Sequence, residues 1–155
     1  MPQEDLKAAI HRAISAFNNS QDRSDYFNLY DSNSLQVHGF PPNLPSNFEG
    51  MRMFYDVLWR AFPDSHLVID DIIVEGDKAA CRYTFTGTQK GEFMGIPPSD
   101  KRVKISGMTI LHFDQFSNKC IERWNMADMM GLMQQIGAIP LDAQASNSDS
   151  SMIRS

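Results

Sequence analysis

Apolar residues first recur along the chain at Leu6, Ile10, Ala13, Ile14 and Phe17, the i, i+4, i+7, i+8, i+11 series of one helix face. Asn18-Asn19-Ser20 ends this segment, and a short second helix is expected through Tyr26 and Leu29, before the turn cluster Asp31-Ser32-Asn33-Ser34. Leu35-Gln36-Val37-His38 alternates and reads as a short strand. Pro41, Pro42 and Pro45 then forbid regular pairing and mark a loop from Gly39. A longer amphipathic helix is predicted from Phe48 to Phe62, with Met51, Tyr55, Leu58, Trp59 and Phe62 on one wide face, and Pro63-Asp64-Ser65 stops it.

From His66 to Asp128 the pattern changes to strands. His66–Val74 turns at Gly76-Asp77 into Lys78–Gln89. A Gly/Pro-rich connection from Gly91 to Asp100 leads to Lys101–Asp114, and a loop at Gln115–Asn118 leads to Lys119–Met126. Short turns between successive strands mean antiparallel pairing. The last helix presents Met129, Leu132, Met133 and Ile136 on one face, with Gly137 at its C-cap and Pro140 beyond. From Asp142 the chain is too polar to pack, so one domain over residues 1–141 and a disordered tail over 142–155 are expected. Helices followed by a long antiparallel meander give the α+β class, helices packed on one face of a curved sheet. A curled sheet capped by helices leaves a cavity at its mouth.

Composition narrows the function. The 155 residues carry a net charge of −5 with no run of Lys or Arg, which argues against nucleic acid as a partner. No apolar stretch is long enough to span a bilayer, and the acidic start Met1-Pro2-Gln3-Glu4-Asp5 lacks a secretory layout, so a cytoplasmic protein with no membrane partner is expected. Cys81 and Cys120 sit in apolar strand patterns without metal-ligand spacing and read as buried thiols. No Gly-rich phosphate loop, serine elbow or Cys/His cluster is present, so metal, nucleotide and serine-nucleophile chemistry are not expected. Ten Met beside ten Phe suit an adaptable apolar pocket for a small organic molecule.

Phe62-Pro63-Asp64, Glu75-Gly76-Asp77, Arg82 and the stretch Gly87-Thr88-Gln89-Lys90-Gly91-Glu92-Phe93-Met94-Gly95-Ile96-Pro97-Pro98 come in order. Glu122-Arg123-Trp124-Asn125-Met126-Ala127-Asp128 and Gln134-Gln135-Ile136-Gly137 follow. Together these resemble the SnoaL-like polyketide cyclases of the nuclear-transport-factor-2-like superfamily, over residues 5–140. The resemblance implies a cone-shaped, cystatin-like roll, frequently a homodimer built through its sheet. It also implies an enzyme that closes a ring by an intramolecular aldol step, with a carboxylate and a histidine moving protons and with neither metal nor organic cofactor. Gln89 departs from the pattern, standing where many members have His.

The residues offered for that chemistry are Asp128 and His112. Asp128 ends the last strand beside apolar residues that raise a carboxyl pKa, yet Asp before a helix is also a preferred N-cap. Pairing Thr109 with Trp124 places Thr109, Trp124 and Met126 on one face and His112 on the other. His38 ends a strand at the expected pocket mouth. Tyr55 and Trp59 from the long helix, with Thr109, Trp124 and Met126, are candidates to line the pocket or simply to pack. Phe93 and Met94, in the loop from Gly91 to Gly95, are candidates for a lid. Arg82 and Glu122 lie in strands and suit ion pairs. The leading reading is a cyclase or related lyase on a polyketide-like, carbonyl-rich apolar substrate. An isomerase or hydrolase on the same cone is the rival among enzymes, and a non-catalytic binding or association domain on the same fold is the alternative of another class.

Overall fold

The computed structural model of the chain describes residues 3–139. Among the described residues three α-helices occur, α1 (Gln3–Phe17), α2 (Phe48–Ala61) and α3 (Met129–Gln135), with a short 3₁₀ helix at Ser24–Leu29. Five strands, β1 (Gln36–His38), β2 (His66–Glu75), β3 (Lys78–Thr88), β4 (Arg102–Asp114) and β5 (Lys119–Ala127), form one curved open sheet in the order β1-β5-β4-β3-β2. The α+β class and the helix-then-meander order follow the sequence reading. Pro140 and the tail expected to be disordered fall outside the described residues.

The β2–β5 meander is antiparallel throughout, and β1 joins it in parallel against β5, with Val37 opposite Arg123. The periodic face of α1 is what the sheet covers: Leu6, Ile10, Ala13 and Phe17 are all buried. Each large apolar side chain taken from water there contributes about 1.5–3 kcal/mol. α2 buries Met51, Tyr55, Leu58 and Ala61. Its N-cap is Asn47, whose side-chain oxygen accepts from Gly50 N at 3.0 Å. Asn18, just past α1, clamps the helix to the sheet: its amide donates to Leu67 O at 2.9 Å and accepts from Leu67 N at 2.7 Å.

Strand alternation divides the sheet into two faces. Along β4, Val103, Ile105, Thr109, Leu111 and Phe113 point inward and are buried. Their neighbours Met108 and Ile110 point outward and remain exposed. Among the described residues no helix is long and apolar enough to cross a membrane. Within the same residues no group of three or more His, Cys, Asp or Glu could hold a metal ion. Cys81 and Cys120 are free and buried, and burial pushes their thiols up to about 11 and about 12.

Candidate active site

Between the helices and the inner face of the sheet lies a cavity of about 400 Å³. Its walls are mainly apolar, drawn from α1, α2, α3 and the inward residues of β2–β5. The Gly39–Pro45 loop closes one side. It can cross there because Gly39 lies against the β5 backbone at positive φ; a Cβ on Gly39 would stand 1.8 Å from Asn125 O. The next residue, Phe40, then lies over the Arg123 guanidinium at 5.3 Å.

Arg123 is the polar centre of this cavity. β5 turns it inward and it is 5% exposed. Its Nε donates to Thr109 Oγ1 at 3.0 Å, and its Nη2 to Asn125 Oδ1 at 3.3 Å. Nη1 donates to Tyr55 Oη at 2.9 Å and to Tyr26 and Tyr30 Oη, each at 3.1 Å. Tyr26 and Tyr30 also share a hydrogen bond of 2.8 Å. Tyr83 Oη donates to Asn125 Oδ1 at 2.8 Å and completes the group. These residues come from the 3₁₀ helix, Tyr30 just beyond it, α2, β3, β4 and β5.

The electrostatics are one-sided. Burial pushes the Tyr26 and Tyr30 phenols up, with the Arg123 charge pulling the other way, so both stay protonated. Burial likewise pushes Tyr83 up to about 12. For Arg123 burial works against the charge, yet a guanidinium keeps its proton in a protein, and it remains a cation held by neutral hydroxyl acceptors. Among the described residues the cavity lining includes no Asp, Glu or His.

The structure places the sequence candidates as follows. Asp128 is exposed, lies outside the cavity lining and is the N-cap of α3, its Oδ1 accepting from Gly131 N at 2.9 Å. His112 is on the outer face, its Nε2 3.0 Å from Asp77 Oδ2. His38 stacks on Trp124 with ring centroids 5.2 Å apart and pairs with Glu122 at 2.8 Å, also outside the lining. Tyr55, Thr109, Phe93 and Met94 do line the cavity. Phe93 is fully buried against Phe54 and Phe62, whereas Met94 is exposed at positive φ on the loop. Trp59 packs behind Tyr55 rather than into the space, and its indole N–H has no partner among the described residues.

The register of β4 and β5 corrects two placements. Thr109 pairs with Asn125, and Trp124 pairs with Ile110. A one-residue shift in register exchanges the two faces. Trp124 and Met126 therefore point outward, 37% and 74% exposed, and His112 shares their face instead of opposing it. The same shift turns Arg123 and Asn125 inward, and neither stood out in the sequence. The signal available was a charged residue in alternation with Asn125 and Ala127. Arg82 pairs with Asp71 at 2.8 Å on the outer face. Gln89, at the position where a histidine is frequent in the family, is fully buried and outside the cavity lining. Its amide nitrogen donates to Gly91 and Ile96 carbonyls and its oxygen accepts from Ser99 N, so it ties the 89–101 loop together.

A family profile described as SnoaL-like polyketide cyclase matches residues 8–136. Several solved structures share the fold. AclR from Streptomyces galilaeus, described as a candidate hydroxylase, is 27% identical, with a TM-score of 0.78 over 90% of this chain and 100% of its own. TsrD from Streptomyces laurentii is also 27% identical, with a TM-score of 0.78 over 90% of this chain and 99% of its own. IdmH from Streptomyces antibioticus, described as a candidate polyketide cyclase, is 26% identical, with a TM-score of 0.67 over 86% and 97%. No curated protein matches the chain.

Proposed function

The chain belongs to the SnoaL-like polyketide cyclase family, and from that premise we propose that it takes a polyketide-like, carbonyl-rich apolar molecule into this cavity and closes or rearranges its ring without a cofactor. The observation that carries the reading is an apolar chamber whose polar groups converge on one point, the Arg123 cluster. Ligand sites characteristically combine apolar walls with a few fixed polar groups.

In an aldol closure the methylene between two carbonyls, already acidic, gives its proton to solvent water as the substrate enters and becomes an enolate, whose carbon attacks a second carbonyl of the same chain. Arg123 and the phenols sit where they can hold the charged oxygen, and fixed donors in a water-poor site stabilise such charge strongly. The alkoxide formed by the attack takes the proton of the Tyr55 hydroxyl, the donor we assign, and the resulting phenolate, held by Arg123 Nη1 at 2.9 Å, regains a proton from solvent as the product leaves. The walls contribute by folding the substrate so that the two carbons meet, which is worth up to ~7–11 kcal/mol.

A second reading, binding without turnover, is favoured by the lack of any carboxylate or imidazole in the lining among the described residues. Pairing of two copies through the sheet is also proposed. Its support is the exposed outer face, where Met108, Ile110, Trp124 and Met126 lie together.

Titration with naphthoylacetone, a β-diketone on an apolar ring, tests the reading through the ultraviolet band of its enolate. Binding is expected to raise the enolate fraction at fixed pH, and Ala127→Phe, which fills the cavity, is expected to abolish the effect. No binding to the wild-type chain would overturn it. A saturable enolate signal, with no product by mass spectrometry from longer polyketone analogues, would favour the non-catalytic reading.

A further inference from the structure

Among the described residues Arg123 is a buried cation with no anion beside it. No carboxylate among the described residues forms an ion pair with it. The acids nearest in sequence are engaged elsewhere: Glu122 points to the outer face and pairs with His38, while Asp128 caps α3. Asp31, beside Tyr30, accepts from the Asn33 and Ser34 backbone. Buried charges are ordinarily paired, because neutral dipoles replace lost hydration only in part.

Hydrogen-bond bookkeeping points the same way. A guanidinium carries five N–H donors. Nη2 bears two of them, and among the described residues its one acceptor is Asn125 Oδ1. That oxygen also accepts from Tyr83. The Tyr55 hydroxyl accepts from Arg123 and from Tyr26 at 3.4 Å, and its own hydrogen has no acceptor among the described residues. The cluster thus holds a net positive charge and surplus donors, and Arg123, Tyr55 and Asn125 all line the cavity. The remaining walls are apolar enough to favour a ligand whose body is hydrocarbon.

We propose that Arg123 is the anion-binding residue of the cavity and that its ligand is an apolar organic anion whose charge is shared by two oxygens, a conjugated carboxylate or a β-diketone enolate. This rests on the proposed use of the cavity and goes beyond it by fixing the charge of the occupant. A planar guanidinium matches two such oxygens better than an ammonium does.

Calorimetric titration with two matched pairs tests it. One pair is naphthoate and its methyl ester; the other is hydroxynaphthoquinone, ionised at neutral pH, and its methyl ether. At least one anion is expected to bind about tenfold or more tighter than its neutral partner, the difference that a charge-assisted hydrogen bond supports. Preference for naphthoate alone identifies the carboxylate, and preference for hydroxynaphthoquinone alone identifies the enolate. In Arg123→Met the preference is expected to vanish while the neutral partners still bind. Arg123→Lys, which keeps the charge, retains part of the preference and covers the case in which the Met variant does not fold. Equal binding of acid and neutral partner to the wild-type chain overturns the proposal and leaves the cavity reading standing. Failure of all four probes, with naphthoylacetone also unbound, overturns both.

Discussion

Replacing Asp128 distinguishes a helix cap from a proton carrier. The carboxylate is solvent-exposed, its Oδ1 holds Gly131 N at 2.9 Å, and it lies outside the cavity lining. Asp128→Ala removes an N-cap and is expected to cost about 1 kcal/mol. For a chain of this size that lowers the melting temperature by about 2–4 °C. Asp128→Asn keeps a capping oxygen and is expected to cost only a few tenths of a kcal/mol. Gly131 supplies an internal control. A Cβ there would stand 2.3 Å from Asp128 Oδ2, so Gly131→Ala has to displace the cap. Its gain in helix propensity, up to about 1 kcal/mol, is then cancelled in the wild type. In the Asp128→Ala background the collision is gone and the same substitution is expected to stabilise. Urea melts of the four-member cycle measure a coupling of about 1 kcal/mol, while naphthoylacetone binding stays constant throughout. Should Asp128→Asn abolish the enolate signal or turnover with stability unchanged, the cap assignment would be refuted and the carboxylate returned to the chemistry.

Two further outcomes follow from the same structure. Burial pushes Asp64 up, but the Thr88 N–H and hydroxyl at 2.7 and 2.8 Å, with Arg102 nearby, outweigh it and hold the carboxyl below its ordinary value. Its contribution to stability is therefore present above the ordinary aspartate range, near ~3.9, and is lost as pH falls through the depressed folded value. Asp64→Asn should lower stability at neutral pH and converge with wild type in strong acid; a constant gap across the titration would contradict this. Gly107 faces the Tyr83 ring so closely that a Cβ would stand 2.4 Å from it. Gly107→Ala is expected to cost about 1–3 kcal/mol by overpacking, to push Tyr83 off Asn125 and to weaken naphthoate binding. Unchanged melting and binding would show that the ring moves aside freely.

Much of the architecture was legible because it rests on local rules. The i, i+4 series of α1 buries Leu6, Ile10 and Phe17 as its spacing predicts. Gly137 takes positive φ just past the end of α3, as a C-cap glycine does. Asp128 before that helix accepts from Gly131 N, the capping half of the two roles its position suggested. Ordered motifs from Phe62 to Gly137 pointed to the family that the profile match over residues 8–136 shows.

The site was legible only in part. Tyr55, Thr109, Phe93 and Met94 were named from helix periodicity, strand alternation and a Gly-bounded loop, and all four line the cavity. Arg123 and Asn125 were not singled out as site residues, because β4 and β5 carry apolar side chains on both faces. Met108, Ile110, Trp124 and Met126 resemble core in sequence yet lie outside. Alternation fixes which residues share a face, but not which face is inside. That choice depends on pairing across the hairpin, and an irregularity between His112 and Phe113, where β5 passes from Glu122 to Cys120, sets it.

Sequence by itself therefore determined the elements, their order, the helix ends and the family, since each depends on residues within a few positions of one another. Tertiary structure alone decided the cavity's chemistry. The hydroxyls of Tyr26, Tyr30 and Tyr55 and the guanidinium of Arg123 are brought together from segments far apart in the chain, and the convergence follows from sheet register and helix packing that short-range spacing does not encode.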